Sequence, residues 1–214
     1  MPPSAPRLRA LSSRTGSSQV VELPIADTEL SLVAGLQAGR AEARKALFDR
    51  YSADLERILF RVLGPDAEAP DILHDVFVAA LQSIHTLRDP LALPGWLRGI
   101  AVNKARKLIL KRQRWKLIQL FAPSDLPETE ALLPSAEISE AMRATYDVLG
   151  AMPADERVAF ALRMIDGMEL TQVAEACGVS LATIKRRLSR AQQSFTALAQ
   201  SQPALAEWLE GGEP

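Results

Sequence analysis
The chain has 214 residues, with 25 Lys and Arg against 26 Asp and Glu, two His, one Cys and a formal charge of −1. Hydrophobic residues make up 48% and charged residues 24%, the balance of a soluble globular protein, which excludes a fibrous repeat and a wholly disordered chain. No run of about 18 uncharged apolar residues is present, a lone Cys cannot close an internal disulfide, and two His with one Cys complete no zinc site without carboxylates, so a cytoplasmic chain without metal or cofactor is expected.

The near-neutral total hides a segregation of charge. Between Pro94 and Lys116 there are eight basic residues and no acid, between Leu117 and Glu140 five acids and no base, and between Leu181 and Thr196 four bases and no acid. Residues 1–27, rich in Pro, Ser and Arg without apolar periodicity, read as a flexible extension. Leu47, Tyr51, Leu55, Ile58 and Val62 then recur on one helix face, and Gly64-Pro65 ends the run. Pro70 suits a first helical turn, and Leu73, Phe77, Ala80 and Ile84 form the buried stripe of a second helix. Opposite that stripe lie Asp71, His74 and Asp75, a small acidic face suited to a basic partner. An acid/base role for Asp71 and Asp75 would need a pocket and a positioned substrate, which nothing in the sequence suggests.

A Pro-punctuated loop, residues 88–95, precedes a third helix with Leu97, Ala101, Ala105 and Leu108 on its apolar side, although Gly99 within it costs about 1 kcal/mol relative to Ala. Trp96, Ile100, Asn103, Lys104, Lys107, Lys111 and Arg114 share the adjacent side. Interleaved aromatic and cationic residues suit a single-stranded nucleic acid, through counterion release and base stacking. The plainer reading keeps Trp96 in the core and the cations as a solvated face. Residues 117–138, with three Pro and several acids, read as an acidic linker. A second helical block follows from Met142, interrupted at Pro153 and ending at Asp166-Gly167. Its clearest motif runs from Thr171 to Phe195 as helix, tight turn, helix: Ala174 is small, Gly178 is free to take positive φ, Val179 plugs the turn and Ser180 can cap the next helix. On that helix Leu181, Ile184, Leu188, Ala191 and Phe195 form a dry side, while Ala182, Lys185, Arg186 and Ser189 form a side suited to a DNA major groove. An ordinary helical hairpin with a solvated basic face is the alternative. Cys177 reads as a small buried hydrophobe. Without period-two alternation or repeats, the class is all-α.

The strings ALFDRY (46–51), DILHDVF (71–77) and GWLRGIAVN (95–103), followed by the basic run, resemble region 2 of bacterial sigma factors. MPADERVAF (152–160), QVAE (172–175) and GVSLATIKRRLSRA (178–191) are similar to region 4. Two such regions joined by a short linker resemble the extracytoplasmic-function (ECF) type of the sigma-70 family. The resemblance implies two small helical domains: region 2 at residues 28–116, the linker at 117–138, and a region 4 helix-turn-helix at 139–200, followed by an acidic tail at 201–214. It implies a non-catalytic subunit that binds core RNA polymerase, recognises the −35 and −10 promoter elements and opens the duplex. Asp71, His74 and Asp75 would then dock on the clamp coiled coil of the largest polymerase subunit, although His74 departs from the family's more frequent Gln. Trp96, Arg98, Asn103, Lys104, Lys107 and Lys111 would track the −10 strand. Ala182, Thr183, Lys185, Arg186, Arg187, Ser189 and Arg190 would engage the −35 element, with Lys185 and Arg186 nearest bases and Arg187 and Arg190 nearer phosphates. The polymerase flap and an anti-sigma factor are further implied partners, with no membrane insertion and a monomer outside these complexes. A helix-turn-helix regulator that binds duplex DNA without polymerase is the competing reading, and it has no use for an acidic docking helix followed by a Trp-bearing cationic one. The acidic linker reads equally as a mimic of nucleic acid and as a solvated tether.

Overall fold
A computed structural model describes residues 25–121 and 140–205. Among these residues every regular element is helical. The helices are α1 (Ile25–Gln37), α2 (Ala41–Leu63), α3 (Ala69–Ser83), α4 (Leu93–Phe121), α5 (Glu140–Ala151), α6 (Ala154–Phe160), α7 (Leu170–Cys177) and α8 (Leu181–Ala199).

In the first block, the predicted α2 stripe is buried in full, joined by Leu59 and Leu63. Helix α3 carries Pro in its first turn, where no intrahelical N–H is required, and buries Val76, Phe77 and Ala80. Asp89 stops the following loop from fraying: its carboxylate accepts a hydrogen bond from the Leu91 N–H at 3.0 Å, just before α4 begins. Helix α1, part of which lies in the expected N-terminal extension, adds Leu32, Val33 and Leu36 to the core. It also buries Glu29, whose carboxylate accepts from the Tyr51 hydroxyl at 2.5 Å and pairs with Arg50 at 2.8 Å. Burial, and then the Glu29 bond, push the Tyr51 phenol well above its ordinary range.

In the second block, α5 buries Ala144, Val148 and Leu149, and Pro153 caps α6 as its chain direction changes. A π turn, Ala161–Ile165, prolongs α6. The Glu169 N–H donates to the Gln172 side chain at 3.1 Å at the start of α7. Gly178 takes the left-handed conformation, φ 64°, and Ser180 accepts from the Thr183 N–H at 3.2 Å, starting α8.

Three expected boundaries shift. Helix α4 continues through residues 117–121, so the expected linker begins with a helical end; its remaining residues, 122–138, lie outside the described residues, as do 1–24 and 206–214. The tail begins inside the fold, because Leu205 is buried against Ala144, Val148 and Ala199. The N-terminal extension gives way to α1 at Ile25.

The two blocks share one hydrophobic core. Leu97, Ala101 and Ala105 of α4 and Val173, Ala174 and Ala176 of α7 belong to the same cluster. At the crossing, a Cβ at Gly95 would meet the Glu175 carboxylate at 2.5 Å, while one at Gly99 would only reach ordinary contact with the Ala176 carbonyl at 3.8 Å. Around this seam, Tyr146 donates to the Phe60 carbonyl at 3.0 Å, Gln113 to the Met152 carbonyl at 2.8 Å, and Arg57 pairs with Asp166. Buried Arg157 donates from Nε to the Val62 carbonyl and from Nη2 to the Leu63 carbonyl, both at 2.9 Å. Those carbonyls end α2 and have no helical N–H to accept from. Burial pulls the Arg157 guanidinium down to about 10, so it remains charged near neutral pH. Asp155 accepts from Arg106 of α4 through one oxygen and from Arg187 of α8, at 2.8 Å, through the other.

Two predictions follow from this seam. Gly64 and Gly167 have φ of 83° and 81°, but a Cβ at Gly64 would lie 2.7 Å from the Tyr146 ring, whereas nothing lies within 4 Å at Gly167. Gly167→Ala should therefore cost about 1 kcal/mol, and Gly64→Ala at least about 1 kcal/mol more, in urea unfolding. Equal costs would mean that the ring yields freely. The Arg106 hydrogen bond holds the Asp155 carboxyl below its ordinary 3.8, outweighing the opposing effect of burial, with the Arg187 charge assisting. A depressed carboxyl contributes stability that is complete above 3.8 and lost as pH falls through the folded value. The stability gap between wild type and Asp155→Asn should accordingly be constant above pH 3.8 and close below it, in urea titrations across the acid range.

Candidate nucleic-acid interface
Helix α8 is amphipathic about a sharp division. Ile184, Leu188 and Ala191 are buried, which turns Ala182, Lys185, Arg186 and Ser189 outward. Thr183 is half-buried; its hydroxyl lies 2.9 Å from that of Ser180 and accepts from Arg186 at 3.5 Å. The Arg186 guanidinium is thus held near the first turn of the helix, next to the Gly178 bend. Arg190 is open to solvent at 64% exposure and lies 3.7 Å from Glu156. Arg187, expected near phosphates, points inward at 17% exposure onto Asp155.

The α4 residues divide in the same way. Asn103, Lys107 and Lys111 are exposed along one face. Lys104 reaches back to Asp75 of α3 at 3.1 Å, and Arg98 donates to Asp54 of α2 at 3.0 Å. Burial pushes the Asp54 carboxyl up, but hydrogen bonds from Arg57 and Arg98 more than offset this and leave it below its ordinary value. Trp96 is half-buried and packs against the core, which is the plainer of the two readings of that residue. Farther along, Arg112 donates to both Asp66 oxygens, from Nη1 and Nη2, and from Nη2 to Glu68 at 2.7 Å.

Of the acidic α3 face, Asp71 and His74 are exposed while Asp75 carries the contact to Lys104. The structure therefore brings Asp75 and Lys104 together across α3 and α4, although the two belong to different expected surfaces. Burial raises the Cys177 thiol to about 11, leaving it a neutral apolar group at neutral pH. Among the described residues no cluster of three or more His, Cys, Asp or Glu is arranged to hold a metal ion, and no helix is long and apolar enough to cross a membrane. Asp155 and Arg157, which tie the blocks together, escaped the sequence reading. They sit within the MPADERVAF string, but the carbonyls and cations they meet are far away in sequence, so no local period announces them.

Comparison with known proteins supplies the family. Residues 47–115 match the family described as sigma-70 region 2, and residues 142–193 match sigma-70 region 4; together they span more than half of the chain. The chain is 27% identical over 180 residues to the ECF RNA polymerase sigma-E factor of Haemophilus influenzae, covering 78% of this chain and 92% of that one. It is 25% identical, with the same coverage, to the sigma-E factor of Escherichia coli K12. Among solved structures, CnrH in complex with the cytosolic domain of CnrY superposes with a TM-score of 0.57 at 22% identity, over 82% of this chain and 99% of that one. The sigma factor RpoE of Bartonella quintana, in complex with the anti-sigma factor NepR, gives 0.51 at 22% identity, over 74% and 97%. With both regions present in order, each on its own helical block, the chain belongs to the sigma-70 family as an RNA polymerase sigma factor of the ECF type.

Proposed function
We propose that this sigma factor works as a non-catalytic, cytoplasmic initiation subunit: it joins core RNA polymerase, reads the −35 element through α8 and captures the −10 strand along α4. The observation that carries this reading is the outward row Ala182, Lys185, Arg186 and Ser189 on a helix that starts at a tight glycine turn and buries its opposite side. Small side chains beside a bidentate donor let the helix backbone enter the major groove while Arg186 reaches a guanine edge. Arg190 and, once released from Asp155, Arg187 meet phosphates, which set register without reading sequence.

On α4, Asn103, Lys107 and Lys111 provide a polar and cationic track. Removing a base from the stack costs a few kcal/mol, which such a track offsets by neutralising phosphates. Lys104 joins it by exchanging Asp75 for a phosphate. Arg98 and Trp96 support the track from beneath rather than touching the strand, since one is bonded to Asp54 and the other packs on the core. On α3, Asp71, His74 and Asp75 form the face offered to the clamp coiled coil, and region 4 meets the flap. An anti-sigma factor is a fitting inhibitor, as the Bartonella neighbour of the same fold was solved with one. The regulator reading is not favoured, because both sigma regions match in order.

Arg186→Ala should cost about 1–3 kcal/mol on the cognate promoter and relax selectivity at one position of the −35 element. Lys107→Ala should instead weaken binding evenly across sequences and lower the salt slope by about 1. Run-off transcription and binding titrations with core polymerase read both, and selectivity unchanged by Arg186→Ala would remove that residue from base reading. The Asp71→Ala, Asp75→Ala double variant should lose core binding while keeping its helical signal; undiminished core binding would overturn the docking face.

A further inference from the structure
We infer that Trp115, near the end of α4, is a stacking platform for an unpaired nucleobase; this rests on the proposed role of α4 as the track of the −10 strand. Trp96, the aromatic at the head of that helix, packs against the core. Trp115 does not: it is 48% exposed, and Ile118, one turn further on, is 53% exposed. Its place is set by register. Asn103, Lys107, Lys111 and Trp115 are all exposed and follow one another at steps of four, a row that winds slowly around the helix. Arg114 and Ile118 fall within the same arc of the helical wheel. From Asn103 to Trp115 the row spans about 18 Å at 1.5 Å per residue, the length of about five stacked nucleotides at 3.4 Å each.

The occupant follows from what this row demands of one ligand. Helix α4 contains no acidic residue from Leu93 to Phe121. Lys111, Arg114 and Lys116 are exposed around Trp115, and none of them pairs with a carboxylate among the described residues. An apolar protein surface laid over Trp115 and Ile118 would strip water from these cations without compensation. A nucleic-acid strand carries a phosphate beside every base, so it meets the cations and the aromatic face together. Stacking needs the open face of a base, which a duplex keeps covered by its neighbours, so the strand is single. Every base has such a face, and Trp115 therefore adds affinity without reading sequence.

The test titrates the full chain with a labelled oligothymidylate about 20 nucleotides long, above the site sizes of single-strand grooves, and with its oligoadenylate duplex, over a series of salt concentrations. Trp115→Ala should weaken single-strand binding about tenfold, with the salt slope and the duplex affinity unchanged, and Trp115→Phe should recover most of the loss. Lys107→Ala should instead lower the single-strand salt slope by about 0.7. With Trp96→Phe and Trp208→Phe leaving Trp115 as the sole tryptophan, and the helical signal intact, the bound oligonucleotide should quench its emission. Unchanged single-strand affinity in Trp115→Ala, an equal loss on the duplex, or emission untouched at saturation overturns the inference. It is overturned equally if Trp115→Ala abolishes core polymerase binding or self-association of the chain, which assigns the face to that partner. A blue shift of Trp115 on anionic vesicles, without quenching by the oligonucleotide, assigns it to a membrane surface and has the same force. Failure of the track itself reads differently: wild type does not bind the single strand, or Lys107→Ala keeps its affinity and salt slope, whereas failure of Trp115 alone leaves Lys107→Ala effective.

Discussion
Helix α4 has to serve two cores at once. Leu97, Ala101 and Ala105 share one buried cluster with residues of α2 and α3 and with Val173, Ala174 and Ala176 of α7. A helix approached from two directions needs small residues where backbones come closest and large ones between, and the sequence from Leu93 to Ile109 alternates in that way. The charged residues of α4 are what remains after both apolar sides are satisfied. This is why Asn103, Lys107 and Lys111 form an exposed strip, while Arg98, Arg106 and Arg112 turn to carboxylates at Asp54, Asp155 and Asp66.

Those three carboxylates all sit below their ordinary values, each against the push of burial. Their partners differ in consequence. Asp54 and Asp66 join helices within the first block, so they hold region 2 in shape whatever the rest of the chain does. Asp155 joins the two blocks. Arg157 adds a cation buried under carbonyls, an arrangement with a large desolvation penalty that Coulombic attraction only partly offsets. The seam is apolar as well, since Leu97, Ala101 and Ala105 share one buried cluster with Val173, Ala174 and Ala176, so parting the blocks would expose hydrocarbon. Its hydrogen bonds trade for others with water at small net cost, so the apolar part of the seam dominates what opening would cost.

How much of this was legible in the sequence follows from the range of each interaction. The stripe from Leu47 to Val62 and the turn at Gly178 to Ser180 depend on neighbours three or four positions away, and they stand where their spacing placed them. The outward row of α8 follows from the same wheel. Arg187 does not, since its direction is decided by Asp155, which lies on another helix. Trp96 also belongs to the core because α4 is approached from a second side that no local pattern reveals. The linker expected from residue 117 starts later, because α4 runs on to Phe121, ahead of the first acid, Asp125.

The burial of Leu205 bears on how the molecule may be cut. The region 4 match ends at residue 193, and α8 ends at Ala199. A domain cut after Ala199 would lose the apolar plug that closes Ala144, Val148 and Ala199 and would present that cluster to solvent as an adhesive patch, and one cut after residue 193 would lose Ala199 too. Fragments meant to stand for isolated region 4 should keep the chain through Leu205, or their self-association would be mistaken for a property of the recognition domain.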